Sequence, residues 1–161
     1  MIRAILACDE NWGIGKLNDL PWPHNPKDLA WFKEQTTGGV VAMGKRTWDS
    51  LPTKPLPNRN NIVITSSIKD KSGPYHFVEF DAAENTLTSM AKLQDVWIIG
   101  GAQLLNSLLH LVDEIHLSRV SGTYDCDTFL PSDDIMEQYK LVDTDTSIDT
   151  LCIETWKKQS V

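Results

Sequence analysis

The sequence predicts an α/β fold with a largely parallel sheet in a single domain, and three observations support this prediction. The chain has 161 residues, of which 41% are hydrophobic, a length that supports one core but is short for two. Short apolar runs, which are typical of strands buried in a parallel sheet, alternate with helical or loop segments in the first part of the chain. After residue 114 the pattern changes to longer alternating segments, which predict an antiparallel pair at one edge of the sheet. We therefore treat residues 1–161 as one domain.

The predicted strands are short runs of apolar, often β-branched residues. Four of them are predicted to be buried, namely Ile2–Ala7, Val40–Met43, Asn61–Thr65 and Val96–Ile99. Their order in the sheet does not follow from the sequence. Near the C-terminus EIHLSRV alternates in polarity, and YKLVDTDTSIDTLCIETWKK predicts two long strands joined by a turn near Ser147–Asp149.

The most clearly predicted helix covers residues 26–35. Asn25 can cap it, and the proline that follows suits the first helical position because its φ is already helical. On this helix Asp28 shares a face with Trp31 and Phe32, three and four residues further on. Asp28 therefore has two interpretations. It is either part of a capping box with Asn25, or an acid that serves a ligand beside aromatic side chains.

The composition argues against several classes of function. Fifteen basic residues against 22 acidic ones give a net charge of −7, which is unfavourable for general binding to nucleic acids or anionic membranes. No apolar run approaches the ~20 residues that span a bilayer, and the N-terminus lacks a signal-peptide pattern. Three cysteines without a C-x-x-C pair favour structural thiols in a reducing compartment. We therefore expect a soluble, cytoplasmic protein.

A glycine pair follows the last of the four predicted buried strands. In VWIIGGAQLLNSLL, Gly100 and Gly101 lie between that strand and a predicted amphipathic helix. The apolar face of the helix is formed by Leu104, Leu105, Leu108 and Leu109. Such a turn can direct free backbone N–H groups at a phosphate, but a tight packing turn explains the pair equally well. The spacing is not that of a Rossmann fingerprint, which makes a Rossmann fold a weak fit.

A second strand end offers cations. In GVVAMGKRTWDSL, Gly44 is followed by Lys45, Arg46 and Thr47 at the start of a short predicted helix, where positive charge and helix dipole both favour phosphate. A solvated basic turn is the alternative. Hydroxyl groups at Thr65–Ser67 follow a third strand at the same edge of the sheet. Three strand ends with phosphate-type donors suggest a dinucleotide.

Metal and nucleophile chemistry are poorly supported. The four histidines show no zinc-type spacing, and no cysteine pair accompanies them. No serine lies in a G-x-S-x-G elbow. One carboxylate near aromatic residues, beside a predicted dinucleotide site, fits hydride transfer, in which the cofactor performs the redox step and the protein orients the reactants.

Six segments resemble the dihydrofolate reductase family, in order and at matching spacings across nearly the whole chain. They are GIGKLNDLPW, DLAWFK, MGKRTW, LPNRNNIVIT, IIGG and CDTFLP. The resemblance implies a mostly parallel eight-stranded sheet with an antiparallel C-terminal edge strand and about four flanking helices. It also implies NADPH-dependent reduction of 7,8-dihydrofolate to tetrahydrofolate, a reaction that supports one-carbon metabolism and thymidylate and purine synthesis.

The resemblance identifies Asp28 with the family's buried acid, which pairs with the exocyclic amine and a ring N–H of the pterin. Trp22 would hold an ordered water beside Asp28, and Leu20 lies in the mobile loop that closes over nicotinamide, roughly Asp9 to His24. The substrate-binding positions that the resemblance implies are Ile5, Asp28, Phe32, Leu51, Leu56, Arg59, Ile99 and Ser118. Arg59 would clamp the glutamate α-carboxylate of the substrate. The sequence predicts no direction for the pKa of Asp28, because burial raises it and a nearby developing cation lowers it.

The implied cofactor-binding positions are spread along most of the chain. They are Ala7, Ile14, Gly15, Asn18, Gly44, Lys45, Arg46, Thr47, Thr65, Ser66, Ile99, Gly100, Gly101, Ala102, Gln103, Leu104, Leu105 and Thr128. The chain departs from the family pattern at Leu105, where many members have tyrosine, at Gln103, where some have a basic residue, and at Ser118, where many have threonine. Preference for NADPH would then depend mainly on Lys45, Thr65 and Ser66.

The partners that the resemblance implies are dihydrofolate and antifolate inhibitors, bound by a monomer without nucleic acid, membrane or metal. Two alternatives remain open at this point. The chain could be a folate- or nucleotide-binding module that has lost turnover, although Asp28, Trp22 and the glycine pair weigh against this. It could also be a pyrimidine reductase of riboflavin synthesis, which shares the fold but is not expected to need Trp22, Asp28 and Phe32 together.

Overall fold

The computed structural model describes residues 1–15, 26–65, 76–147 and 151–159 of the chain. Its strands, in chain order, are β1 (Ile2–Cys8), β2 (Gly13–Gly15), β3 (Val40–Gly44), β4 (Asn60–Thr65), β5 (His76–Glu79), β6 (Val96–Gly100), β7 (Glu114–Arg119), β8 (Thr128–Phe129), β9 (Tyr139–Asp145) and β10 (Cys152–Lys158). The helices are α1 (Pro26–Thr36), α2 (Lys45–Ser50), α3 (Phe80–Met90), α4 (Ala102–Leu108) and α5 (Ser132–Gln138). A 3₁₀ turn over Leu109–Leu111 follows α4.

The main sheet has eight strands in the order β5-β4-β3-β6-β1-β7-β10-β9. Strand β1 lies near the centre and pairs in parallel with β6 and β7, while β3 pairs in parallel with β4 and β6. Strand β10 runs antiparallel to both β7 and β9, so the C-terminal strand is antiparallel at this side of the sheet, with β9 outermost. The predicted mostly parallel α/β sheet with its antiparallel C-terminal strand is confirmed. Strands β2 and β8 form a separate two-stranded antiparallel sheet.

The elements predicted from apolar runs are present. All four predicted buried strands form, as β1, β3, β4 and β6, and each is one residue longer than predicted. The predicted helix over residues 26–35 becomes α1 and ends one residue later. Asn25, its predicted cap, lies outside the described residues, as does most of the turn predicted near Ser147–Asp149. Five α-helices occur in the described part of the chain, where the resemblance implied about four.

The sheet separates two apolar clusters. The larger one lies on the face covered by α3, α4 and α5, and it includes the four leucines predicted to share a helix face. The smaller one lies on the face covered by α1 and α2 and contains Trp31 and Trp48 from those helices. Alternate residues of β1 serve the two clusters, as Ala4 faces the larger one and Ile5 the smaller. We refer to the smaller cluster, defined by its buried members Ile5, Trp31, Val41, Met43, Trp48, Val63, Trp97, Leu151 and Ile153, as the α1-side cluster.

The parallel direction of β1, β3, β4 and β6 places their carboxyl ends at one edge of the sheet. Cys8, Gly44, Thr65 and Gly100 end these strands. Ligands of open α/β sheets gather at this edge. The three strand ends predicted to offer phosphate-type donors therefore lie on the same side of the molecule.

The three cysteines all fall within the described residues, and none forms a disulfide. Cys8 is fully buried at the end of β1, and burial raises the pKa of its thiol to about 12. A thiol with such a pKa stays protonated at neutral pH and is a poor nucleophile. Among the helices of the described ranges, none has the length and apolar character needed to cross a bilayer.

Candidate active site

Helix α1 turns one mixed face toward the sheet. Trp31 and Thr36 are buried on this face, and Asp28 and Phe32 are half-buried beside them. By contrast, Leu29 on the opposite face is 51% exposed. The predicted placement of Asp28 on the inward, aromatic face of the helix is therefore what the structure shows.

The Asp28 carboxyl has a raised pKa. Burial is the largest cause, because the charged form loses hydration, and interaction with the Ser118 hydroxyl lowers the pKa in part. Ser118 lies in β7 and is 1% exposed. Its Oγ makes no hydrogen bond of ordinary geometry within the described part of the chain, but the hydroxyl is near enough to the Asp28 carboxyl to lower its pKa. Burial thus outweighs the hydroxyl and favours the protonated acid.

The apolar positions predicted to contact substrate come together on this face. Ile5 belongs to the buried part of the α1-side cluster, and the partly buried side chains that pack against this cluster include Phe32, Leu51, Leu56 and Ile99. These residues come from two strands, one helix and the proline-rich segment after α2, so only the fold brings them together. They form an apolar floor, and Asp28 lies one helical turn before Phe32 on the same face of α1.

Arg59 lies beside this floor. Its guanidinium carbon is 5.9 Å from the centre of the Phe32 ring, and its Nη1 donates to Thr36 Oγ1 over 3.1 Å. A further hydrogen bond runs from Arg59 Nε to the Pro57 carbonyl over 2.9 Å. Burial lowers the pKa of the guanidinium, which nevertheless stays charged because its ordinary pKa is above 12. The structure thus places a cation at one end of the apolar floor, with Asp28 in the helix turn that precedes Phe32.

Two residues that support Arg59 were missed by sequence reasoning. Thr36 is fully buried, donates its hydroxyl to the Phe32 carbonyl over 2.9 Å and accepts from Arg59. Asn61 is fully buried too. Its Oδ1 accepts the Leu56 N–H, and its Nδ2 donates to the carbonyls of Leu56 and Arg59. A buried polar residue in a strand was the available signal for Asn61. Nothing in the spacing of Thr36 and Arg59 indicates that they meet.

The glycines of two strand ends lie against each other. A Cβ built on Gly44 would be 3.9 Å from the backbone nitrogen of Gly101, and one built on Gly100 would be 3.4 Å from Thr47 Oγ1. Gly100 has a φ of 137°, which side-chain-bearing residues rarely adopt, and the Gly100–Gly101 peptide is cis. These positions therefore form a cradle of backbone that side chains would fill. A phosphate group of a dinucleotide fits such a cradle, because glycine lets it approach backbone N–H groups and the Thr47 hydroxyl closely.

The basic residues after Gly44 lie in solvent. Lys45 Nζ is 2.5 Å from Asp49 Oδ1, one turn further along α2, and both side chains are about half exposed. Arg46 is exposed as well, while Thr65 is half-buried at the end of β4. Asp49 is therefore a partner of Lys45 that the sequence analysis did not consider.

The remaining cofactor positions vary in exposure. Ala7, Ile14, Gly15 and Ala102 are half-buried, whereas Gln103 and Thr128 are exposed. The side chains of Leu104 and Leu105 pack into the larger cluster and are therefore not available to a ligand. Asn18, Leu20, Trp22 and Ser66 lie outside the described residues, and the predicted loop from Asp9 to His24 is described as far as Gly15.

The chain is similar to known reductases over most of its length. A family profile described as dihydrofolate reductase matches residues 1–152. The dihydrofolate reductase of Neisseria meningitidis serogroup A is 38% identical over 136 residues, 83% of this chain and 80% of the relative. That of Bacillus subtilis is 37% identical over 145 residues, with 90% and 83% covered. The pig enzyme, from Sus scrofa, is 35% identical over 158 residues, with 88% and 84% covered.

A solved structure is similar along the whole chain. The dihydrofolate reductase from Enterococcus faecalis, complexed with NADP(H) and RAB-propyl, has a TM-score of 0.83 and 29% sequence identity. The match covers 99% of this chain and 97% of that one. The similarity therefore extends over the strands and helices that carry the half-buried acid, the glycine cradle and the apolar floor.

Proposed function

The chain belongs to the dihydrofolate reductase family, and from this premise we propose which of its residues perform the reaction. It is an oxidoreductase that reduces 7,8-dihydrofolate to 5,6,7,8-tetrahydrofolate with NADPH. The observation that carries the assignment of residues is a half-buried acid with a raised pKa above an apolar floor, at the carboxyl edge of a parallel sheet. The reaction adds a hydride to one pterin carbon and a proton to the adjacent ring nitrogen.

Asp28 is the residue that binds and orients the pterin. Its two carboxylate oxygens match two parallel donors, the exocyclic amine and a ring N–H, in a charge-assisted fork. These donors replace part of the hydration that burial removes, so binding favours the ionised acid. A pterin held in this way has increased basicity at the nitrogen that must be protonated. Ser118 supports the carboxyl from β7.

The apolar floor and Arg59 bind the rest of the substrate. Phe32, Leu51 and Leu56 contact the flat rings and exclude water from them, while Ile5 and Ile99 offer backbone carbonyls to the pterin. Arg59 pairs with the glutamate α-carboxylate, a geometry that suits its planar fork of donors. Thr36 holds Arg59 in place for this contact.

The cofactor site is the glycine cradle with its flanking polar residues. NADPH, when bound, supplies the hydride. Gly44, Gly100 and Gly101 leave room for the diphosphate, and Thr47 offers a hydroxyl beside it. Lys45 neutralises the 2′-phosphate, with help from Thr65. The other predicted cofactor positions, including Arg46, Ala102, Gln103 and Thr128, complete the site in this proposal.

Further assignments complete the proposal. Trp22 and Leu20 act beside Asp28 and the nicotinamide, and Asn18 and Ser66 contact the cofactor, as the family resemblance implies. The chain works as a single domain, residues 1–161, and as a monomer in the cytoplasm. Antifolate inhibitors bind in the substrate pocket. The net charge of −7 supports the absence of nucleic-acid and membrane partners.

The test is an assay of NADPH oxidation with dihydrofolate, run in parallel with NADH. We expect turnover with NADPH and a marked preference over NADH. Tight binding of dihydrofolate and NADPH without turnover would instead identify a binding module that keeps the pocket and lacks the chemistry. Loss of turnover in Asp28→Asn, with the variant still folded, assigns the activity to this site.

A further inference from the structure

Asp9 is a buried acid that lies outside the proposed substrate pocket. It follows β1 directly, and its side chain is 1% exposed. Its Oδ1 accepts the backbone N–H of Gly13 over 2.8 Å and of Asn11 over 2.9 Å. Its Oδ2 accepts the backbone N–H of Tyr124 over 3.1 Å, and the thiol of Cys126 lies 3.5 Å from the same oxygen. The cover over Asp9 is thus the backbone of two loops that are far apart in sequence.

These donors keep the carboxylate charged. Burial alone would raise the pKa of Asp9, but the hydrogen bonds from Gly13, Tyr124, Asn11 and the Cys126 thiol lower it below its ordinary value. An ionised carboxylate with donors on both oxygens holds their backbone groups at fixed positions. Asp9 therefore ties the turn between β1 and β2 to the segment between β7 and β8.

Arg119 holds the same turn from the other side. Its Nη1 donates to the Asp9 carbonyl over 3.1 Å, and its guanidinium carbon lies 4.2 Å from the centre of the Trp12 ring. The guanidinium is itself held by Glu154 at 2.8 Å. The turn is consequently fixed through its backbone, its aromatic side chain and its acid.

The contacts lead directly to β2. Gly15 of β2 pairs with Thr128 of β8, and its carbonyl accepts the Asp127 N–H over 2.8 Å. A Cβ on Gly13 would overlap the Cys126 Sγ, so the two segments are as close as their side chains allow. Any movement of the Asp9 turn must therefore move β2 relative to the end of β1. Strand β2 carries Ile14 and Gly15, which the proposed function assigns to the cofactor.

We infer that Asp9 is a positioning residue for the cofactor, which fixes Ile14 and Gly15 of β2 beside the end of β1 at the nicotinamide side of the site. This inference rests on the proposed function, because Ile14 and Gly15 are cofactor contacts in that proposal. Asp9 does not touch the cofactor, since its side chain is covered by backbone. Its effect is confined to the part of the site that β2 forms and leaves the glycine cradle near Gly101 unaffected.

The experiment compares two ligands in Asp9→Asn and the wild type. The ligands are NADPH and adenosine 2′,5′-bisphosphate, which keeps the adenosine end of the cofactor and lacks nicotinamide. We expect Asp9→Asn to raise the dissociation constant of NADPH about 2- to 30-fold, the range found when a coupled position is changed. The dissociation constant of the bisphosphate should change by less than a factor of about two. Single-turnover hydride transfer should slow as well.

A matched control separates positioning from general loss of stability. Tyr139, the first residue of β9, is buried, and its hydroxyl donates to the Leu109 and Val112 carbonyls. Tyr139→Phe should therefore destabilise the fold outside the site. We expect a lower melting temperature in Tyr139→Phe with an unchanged ratio of the two dissociation constants. Equal weakening of both ligands in Asp9→Asn, or weakening of neither, would overturn the inference.

A second variant covers the case in which Asp9→Asn does not fold. Cys126→Ala removes the thiol and leaves the three backbone donors of Asp9, so it should change the same ratio in the same direction by a smaller factor. An unchanged ratio in Cys126→Ala, with Asp9→Asn unfolded, would reduce Asp9 to a purely structural residue. Failure of the proposed function is recognised separately, because the wild type would then not oxidise NADPH with dihydrofolate.

Discussion

Asp9 and Asp28 are two aspartates that differ in the number of hydrogen-bond donors that the fold directs at the carboxyl group. Both are removed from solvent to a considerable degree, and in both cases burial acts to raise the pKa of the carboxyl. At Asp9 three backbone N–H groups and a thiol reverse this effect, so its pKa is lowered. At Asp28 the Ser118 hydroxyl offsets burial only in part, so its pKa is raised.

The difference separates an acid whose charge the fold itself stabilises from the acid that we propose to bind the pterin. The fold itself supplies the donors that stabilise the Asp9 carboxylate, which makes Asp9 a fixed part of the scaffold. The protein alone disfavours the Asp28 carboxylate, so a ligand with two suitable donors gains interaction energy when it binds there. Perturbed acids of the second kind are common at functional sites.

The largest expected effect is on the rate of Asp28→Asn. The substitution keeps the shape of the side chain and removes the charge that favours a proton on the pterin. We expect hydride transfer at neutral pH to slow by about 10²–10⁴, the typical contribution of acid–base assistance. The defect should shrink at low pH, where solvent delivers the proton without help. Single-turnover hydride transfer measured from acidic to neutral pH checks this.

A matched substitution at Ser118 sharpens this prediction. Ser118→Ala removes the hydroxyl that lowers the pKa of Asp28 and keeps the carboxylate itself. Its pH–rate profile should shift toward higher pH, while the maximal rate changes far less than in Asp28→Asn. A wild-type rate in Asp28→Asn across the whole pH range would contradict the functional role of this acid.

The next largest effect concerns the substrate tail. Arg59→Leu removes a charge-assisted contact worth about 1.5–3 kcal/mol, which corresponds to about 10- to 150-fold in the dissociation constant of dihydrofolate. Dihydropteroate, which lacks the glutamate, should bind the variant almost as well as the wild type. Thr36→Val should produce a smaller loss for dihydrofolate in the same direction, because Thr36 anchors the guanidinium. Equal losses for both ligands in Arg59→Leu would show that Arg59 does not bind the tail.

Lys45→Ala should have a smaller effect, on the cofactor. Lys45 is about half exposed and shares its charge with Asp49, so we expect a loss at the low end of the range, about tenfold for NADPH. NADH, which lacks the 2′-phosphate, should be unaffected. Asp49→Asn is the control, because it removes the partner and leaves the lysine available to the phosphate. Equally weakened binding of NADPH and NADH would show that Lys45 does not contact the 2′-phosphate.

The sequence was informative where local pattern determines structure. The apolar runs predicted β1, β3, β4 and β6, and the spacing of Asp28, Trp31 and Phe32 predicted their common face on α1. Both predictions depend on periodicity, which the chain shows within a few residues. The resemblance of six segments also predicted the family, which the family profile and the relatives confirm.

The contacts around Asp9 were beyond the sequence. Asp9 lies in a turn without periodicity, and Tyr124 is 115 residues away. The strand order that brings β7 beside β1 decides that they meet, and that order was not readable from the chain. The direction of the pKa of Asp28 was also open, because it depends on how much water the folded protein excludes. Asp49 was overlooked although it is four residues from Lys45, a spacing that does predict a pair.

The smallest expected effect tests the comparison itself, because the same substitution should change stability in opposite directions at the two sites. The folded-state pKa of Asp9 is lowered, so its charge stabilises the fold above the acid's unfolded pKa of about 3.9 and this contribution is lost as the pH falls through the folded value. Asp9→Asn should therefore destabilise the protein at neutral pH. The folded-state pKa of Asp28 is raised, so its contribution is fully present below the unfolded pKa and is lost as the pH rises. Asp28→Asn should then stabilise the ligand-free protein at neutral pH.

Urea unfolding of the two variants and the wild type, from about pH 4 to about pH 8, measures these differences in the free energy of unfolding. The lower end of this range lies near the pKa of an aspartate in the unfolded chain. We expect the two differences to have opposite signs at neutral pH. The Asp28→Asn difference should shrink toward about pH 4, where the raised folded-state pKa leaves Asp28 largely protonated, whereas the Asp9→Asn difference should persist there because the lowered folded-state pKa keeps Asp9 charged. A capping role of Asp28 predicts the reverse for that site, since loss of charge in the first turn of α1 would cost about 0.3–1 kcal/mol. Destabilisation by Asp28→Asn at neutral pH would thus favour the capping role. Stabilisation of the variant together with slow hydride transfer would show that Asp28 lowers the stability of the ligand-free fold and serves the ligand.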